Sequence, residues 1–282
     1  MATPPPPIHV IRAASAPAAV VFRRGPSSWW HLARWHLDTG AIEEGAWFHG
    51  NLYPRRCDLS PDGALLYYFA LKASRSEFLG MTGTHTYSAV AKAPFLFALA
   101  AWREMGTWTR GYHFVSGSPE EGEVSIGPPH AGDLGPMGKR YRLARTESRQ
   151  YDGERRRGWT EHEACPPRAP SDMWDERRSA VLARSSPDGR MRLILQDQGI
   201  LARAPSRVEG RSPLYRLERG RRTIELPEAA WADWDSVGRL LVATREGKLQ
   251  IRNIESGALM HEVSLGPKSP SPRPAPAWAQ RW

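Results

Sequence analysis

CDLSPDGALLYYFALK (residues 57–72) decides how the rest of the chain is read. Ser-Pro-Asp-Gly stands directly before an apolar run. Asp-Gly supplies the positive-φ preference of a tight hairpin, so strand, turn and strand are predicted. The unit returns as AVLARSSPDGRMRLILQ (180–196). WADWDSVGRLLVATREG (231–247) keeps the layout with Asp-Ser-Val-Gly, and LAAWREMGTWTRGYHF (99–114) is a looser copy turning at Met105-Gly106. A motif that recurs in this way sets an architecture rather than one hairpin.

A second hairpin alternates with the first. LARWHLDTGAIEEGAWF (32–48) turns at Asp-Thr-Gly, LQIRNIESGALMHEV (249–263) at Glu-Ser-Gly, and LYRLERGRRTIEL (214–226) around Arg219-Gly220. RYRLARTESRQYDGERRRGWTEH (140–162) has a longer connection. Each set of two hairpins gives strands a, b, c and d of one antiparallel meander. No window carries a long helical stripe, and many short strands split by turn residues indicate an all-β chain.

Four-stranded meanders repeated at about 40–50 residues mark a β-propeller. The Ser-Pro-Asp-Gly turns at 60–63 and 186–189 and the segment GKLQIRNIESGALMHEV resemble the WD-repeat and WD-like bacterial propellers. The Gly-His and closing Trp-Asp of strict WD repeats are absent; Arg252-Asn253 stands where Trp-Asp would be expected. The resemblance implies a single propeller over residues 8–266. The turn glycines Gly63, Gly106, Gly189 and Gly238, with an earlier set around AAVVFRRG (18–25), give five blades. Six is the alternative, its extra blade falling between Gly106 and Gly189. TPPPP (3–7) and PKSPSPRPAPAWAQRW (267–282) are Pro-rich and lack N–H groups that ladders need, so residues 1–7 and 267–282 are expected to be extended or disordered tails without globular structure.

Two cysteines, Cys57 and Cys165, are too few for a disulfide framework. The N-terminus shows no charged region followed by an apolar one, and no apolar run approaches the roughly 18 residues of a membrane span. A cytoplasmic protein without membrane partners is therefore expected. The net charge of +9 admits acidic partners or nucleic acid. The excess is almost all Arg in an Ala-, Pro- and Gly-rich chain, a composition that also arises without functional demand.

The elaboration falls on one side. The a–b turns and most c–d turns are short. The long connections are of b–c type (24–30, 73–86, 116–139, 197–213), joined by the d–a connections 49–56 and 165–178. In a propeller these two classes share a face, and long loops are commonly functional. On that face stand Trp29, Trp30, His49, Tyr53, Arg55, Arg56, His85, Trp174, Arg177 and Arg178. Arg pairs grip carboxylates or phosphates, and Trp beside Arg suits protein hot spots or base stacking. Solvation of the Arg and packing of the Trp between blades are the plain alternatives.

His162-x-x-Cys165 has a spacing a metal could use, but no second pair accompanies it, so no metal is expected. Nucleotide-binding, nucleophile-elbow and zinc-protease motifs are absent, and no cofactor is expected. The expected role is a non-enzymatic module that presents the long-loop face to a protein or peptide. An enzyme or small-ligand binder with its site at the channel mouth, and a nucleic-acid or anionic-polymer binder using the Arg/Trp loops, are the alternatives.

Overall fold

The computed structural model describes residues 8–72, 85–104, 106–107, 110–117, 136, 138–146, 151–165, 179–197 and 213–282. They divide into two units. Unit 1 comprises Met1–Ile8 and Ser148–Pro267; unit 2 comprises His9–Glu147 and Lys268–Trp282. The architecture is all-β, and neighbouring strands pair antiparallel within each sheet among the described residues.

In unit 2 the first sheet runs β1 (Ile8–Arg12), β2 (Ala18–Arg24), β3 (Trp29–His36), β4 (Ile42–His49) in spatial order. The second places β5 (Asn51–Leu52) and β6 (Asp58–Leu59) along β7 (Leu65–Leu71), followed by β8 (Thr86–Lys92) and β9 (Ala100–Arg103). The third pairs β10 (Tyr112–Ser116) with β11 (Tyr141–Arg145). In unit 1 the fourth sheet runs β12 (Thr160–Glu161), β13 (Ala180–Ser185), β14 (Arg192–Asp197), β15 (Leu214–Arg219), β16 (Arg222–Glu225). The fifth runs β17 (Ala229–Trp234), β18 (Leu240–Thr244), β19 (Lys248–Arg252), β20 (Leu259–Ser264).

The recurrent turns close in the same way. Gly63 N–H donates to Ser60 O at 2.8 Å, while Ser60 Oγ donates to Asp62 Oδ1 at 2.6 Å and accepts Leu65 N–H at 2.9 Å. Ser186, Asp188, Gly189 and Met191 repeat this set. At 235–239 one residue replaces the Ser/Asp couple: Asp235 Oδ1 accepts from Val237 and Arg239 N–H at 3.0 and 2.8 Å. Gly63 (φ 72°), Gly189 (φ 70°) and Gly238 (φ 85°) hold the left-handed position that a side chain would strain.

Inner strands are buried on both faces. Ala18–Phe22, Leu65–Ala70 and Leu240–Thr244 are continuous buried runs, whereas the outer β16 is exposed throughout. Alternate residues of β7 face different neighbours. Leu66, Tyr68 and Ala70 join Val20, Phe22, Leu32 and Phe48 of the first sheet, while Leu65 and Tyr67 join Phe114, Tyr141 and Leu143 of the third. In unit 1, Leu182, Leu193 and Leu195 of the fourth sheet pack with Trp234, Leu240 and Val242 of the fifth. Arg184 pairs there with the buried Asp233 and accepts Trp234 Nε1–H on its carbonyl at 3.0 Å. Trp35, Trp231 and Trp234 are buried, and Trp102 is half-buried.

Three expectations are corrected. Residues 99–114 do not form one hairpin: Ala100–Arg103 is the fourth strand of the second sheet, paired with β8, and 112–116 pairs with 141–145. The carboxylate of Glu104 fixes the first assignment. Ser88 Oγ donates to it at 2.6 Å and Trp102 Nε1 at 2.9 Å. Residues 140–162 are not a hairpin either. After β11 the chain forms a five-residue helix, Asp152–Arg156, and Thr160–Glu161 pairs with β13 in the other unit's sheet. Buried Trp159, and Tyr151 donating to Asp197 at 2.7 Å, hold that segment on the fourth sheet.

The C-terminal segment also differs from a structureless tail. Lys268 pairs with Glu44, Trp278 meets Phe95 edge-on at 5.5 Å, and a 3-10 turn, Ala277–Gln280, buries Ala279. Trp282 packs on the Tyr67–Phe114 cluster. Proline prevents strand pairing, but it leaves apolar anchors free to dock.

Candidate functional site

In unit 2 the connections of the elaborated class emerge at one end of the strands. Cross-strand registers fix this: Arg24 lies opposite Trp30, Trp29 opposite His49, Asn51 opposite Leu71, and Leu71 opposite Thr86. Gly50 N–H donates to Ser28 O at 2.9 Å, and Lys72 N–H to His85 O at 3.1 Å, tying the connections together. Trp29, Trp30, His49, Tyr53, Arg55, Arg56 and His85 therefore belong to one unit, most of them at this end. Trp174, Arg177 and Arg178 lie outside the described residues, as do most of the connections 73–86, 116–139, 165–178 and 197–213.

Their roles separate. Trp30 is 7% exposed and packs in the core opposite Phe48. The Arg24 guanidinium lies 5.5 Å from its ring centroid, and Lys72 Nζ lies 5.9 Å from that of Phe48. Two cations thus roof one cross-strand aromatic pair. Trp29 is half-buried, 4.8 Å from the exposed His49 ring and edge-on to Trp47 at 6.3 Å.

Arg55 and Arg56 were expected to act as a pair, and the structure divides them. The first strand of the second sheet is interrupted between β5 and β6 by a 3-10 turn, Pro54–Arg56. Proline at its start fits, because the ring presets φ and the lost N–H has no strand partner there. Arg56 stacks over Tyr53 and Phe69, at 5.0 and 5.3 Å, and donates to Thr107 O. Gly111 lies against its backbone, where an added Cβ would stand 2.6 Å from Arg56 O. Arg56 and Tyr53 are therefore packing residues; Arg55 is exposed.

Sequence reasoning missed a column behind Trp29. Arg23 and His31 are cross-strand partners, both buried, and His31 lies opposite Trp47. The His31 and Trp47 rings stand 4.6 Å apart, and His31 Nε2 is 2.9 Å from Glu44 Oε2. Burial pushes the His31 imidazole down to about 4; Glu44 opposes that, while Lys268 and Arg23 add to it. Burial also lowers Arg23, against the pull of Glu44. The column unites strand residues with Lys268 of the C-terminal segment. The short-range signals for strands and turns carry no trace of such pairing.

Elsewhere, Cys57 and Cys165 are free thiols, and burial pushes Cys57 up to about 12. His162 Nδ1 accepts Ala164 N–H at 3.1 Å. Among the described residues no three His, Cys, Asp or Glu come together as metal ligands. Among the described residues no helix is long and apolar enough to cross a membrane.

No family model and no curated protein matches the chain. Among solved structures it is similar to a Bacteroides fragilis protein provisionally named a 6-phosphogluconolactonase. Identity is 11% over 94% of this chain and 96% of that chain, with a TM-score of 0.36. An uncharacterized protein of Listeria monocytogenes is 8% identical over 92% of this chain and 83% of its own, with a TM-score of 0.30.

Proposed function

We propose that residues 8–266 form a five-bladed β-propeller that acts as a non-enzymatic interaction module, with the connection end as its binding face for a protein or peptide. Five successive sheets among the described residues support the blade count. Inner strands buried on both faces support face-to-face stacking of blades, since an isolated two-layer sandwich leaves one face of each sheet wet.

The observation that carries the interaction reading is the contrast between strand ends in unit 2. The turn at 60–63 is closed on itself by short hydrogen bonds. The opposite end gathers Arg24, Trp29, His49, Arg55 and Lys72 on connections that carry His, Trp and Arg. Aromatic residues and Arg are the types enriched where proteins bind one another.

The test is affinity capture from native lysate with the wild type, Arg24→Glu/Arg55→Glu/Lys72→Glu, and the charge-matched control Arg190→Glu/Arg221→Glu/Arg222→Glu. Proteins enriched by the wild type are expected to persist with the control and disappear with the connection-end variant, all three chains having similar thermal midpoints. Equal recovery by all three contradicts the proposed face.

A further inference from the structure

We infer that the seat of the C-terminal segment on unit 2 is a peptide-binding site and that the segment is its resident ligand. A proline-rich partner segment carrying the same Trp-Ala-x-x-Trp anchors displaces it. The seat is built by the turn 93–99 between β8 and β9, with β4 beside it. Lys92 lies opposite Leu65, so this is the other end of β8 from Thr86 and the connections. Ala46 N–H donates to Pro94 O at 3.2 Å, Phe95 N–H to Lys92 O at 2.8 Å, and Tyr68 OH to Leu96 O at 3.1 Å. At Gly45 an added Cβ would stand 2.4 Å from Pro94 O, so glycine lets β4 approach the turn closely. The turn is thus fixed by contacts that do not involve the segment.

Each anchor of the segment has its own reader. Lys92 Nζ donates to Trp278 O at 2.9 Å and lies 5.8 Å from the Trp278 ring centroid, so it meets backbone and ring together. Phe95 meets the same ring edge-on at 5.5 Å. Ala279 is fully buried, Trp282 packs on the Tyr67–Phe114 cluster, and Glu44 takes Lys268 upstream. Between these anchors residues 271–274 are exposed. Among the described residues, no backbone–backbone hydrogen bond joins 268–282 to a strand; that of Ala279 N–H to Pro276 O, at 2.8 Å, closes within the segment. Side-chain anchors on an extended proline-rich stretch are the way such peptides dock, and the prolines lower the ordering cost. A second chain with these anchors makes the same contacts.

The seat is also larger than its resident. The turn, APFLFAL, is apolar throughout. Trp278 covers Phe95, whereas Phe97 is 44% exposed and Ala98 is exposed as well. Trp278 itself stays 47% exposed. Apolar surface left open beside a docked peptide favours a ligand that covers more of it.

Fluorescence anisotropy on the full chain tests this, with a labelled synthetic peptide of residues 267–282 and its counterpart lacking both tryptophans. The chains are the wild type, Trp278→Ala/Trp282→Ala, and that variant with Lys92→Ala/Phe95→Ala added. Loosening the resident segment is expected to raise affinity for the peptide roughly tenfold or more over the wild type, where the tethered segment competes at about millimolar effective concentration. The added seat substitutions, and removal of tryptophan from the peptide, should each lower it roughly tenfold or more. Lys268→Ala/Trp278→Ala should show the same rise without touching the Tyr67–Phe114 cluster, so unfolding through loss of Trp282 does not decide the outcome. Three results overturn the inference: no saturable binding to either loosened variant, equal affinity of both for the peptide and that of the wild type, or equal binding of the tryptophan-free peptide.

Discussion

At Gly50 the backbone turns from β4 into β5 with φ at 146°, where an added Cβ would stand 2.8 Å from the Phe48 ring and 2.9 Å from Leu71 O. Gly50→Ala is expected to cost about 1–3 kcal/mol, read by chemical denaturation. His31 gives a second residue-scale prediction. Its folded value of about 4 lies below the ordinary 6.5, so the unfolded chain takes up the proton first. Stability from neutral His31 is present above the ordinary value and lost as pH falls towards about 4. Wild-type denaturation midpoints should fall more than those of His31→Phe across this window, and the imidazole signals should titrate near pH 4. A midpoint near 6.5 contradicts the burial account. Neither residue was legible from sequence. Gly50 looks like any loop glycine, and His31 sits inside a strand whose Glu44 and Lys268 neighbours arrive by tertiary pairing.

Elements with their own turn chemistry were legible. Ser60, Asp62 and Gly63 announce the hairpin between β6 and β7, as Ser186, Asp188 and Gly189 do between β13 and β14. The hairpin from β8 to β9 turns through APFLFAL (93–99), without Gly or Asp-Gly, so local turn chemistry carries no sign that β9 pairs back with β8. What seats β9 is Glu104, buried at 8% exposure with Ser88 and Trp102 donating to it. Glu104→Ala takes the acceptor from Trp102 Nε1 and leaves the Ser88 hydroxyl only its contact with Tyr67, at 2.7 Å; it is expected to cost about 1–3 kcal/mol in urea denaturation. The C-terminal segment misled for the opposite reason, since its prolines were read and its anchors were not. Ending the chain at Pro267 removes the packing of Trp278, Ala279 and Trp282. Loss of about 2 kcal/mol of apolar burial predicts a fall of roughly 5 °C in thermal midpoint. An unchanged midpoint would show the segment contributes nothing to the unit.

Across the whole molecule, sheets of similar design differ in how their strand ends are finished. The turn end at 60–63 satisfies its own backbone, which suits structure and offers little to a partner. The connection end of unit 2 spends aromatic rings on holding Arg24, Lys72 and Arg56 in place. The sequence pointed to this end through connection length, yet it treated Arg55 and Arg56 as equals and gave no sign that Trp30 is core. The most direct measurement places a photo-crosslinking residue at Lys72 in one chain and at Arg190, on the recurrent turn, in another, with irradiation in native lysate. The account predicts discrete protein adducts from position 72 and none from position 190. Adducts from position 190 alone, or equally from both, would contradict it.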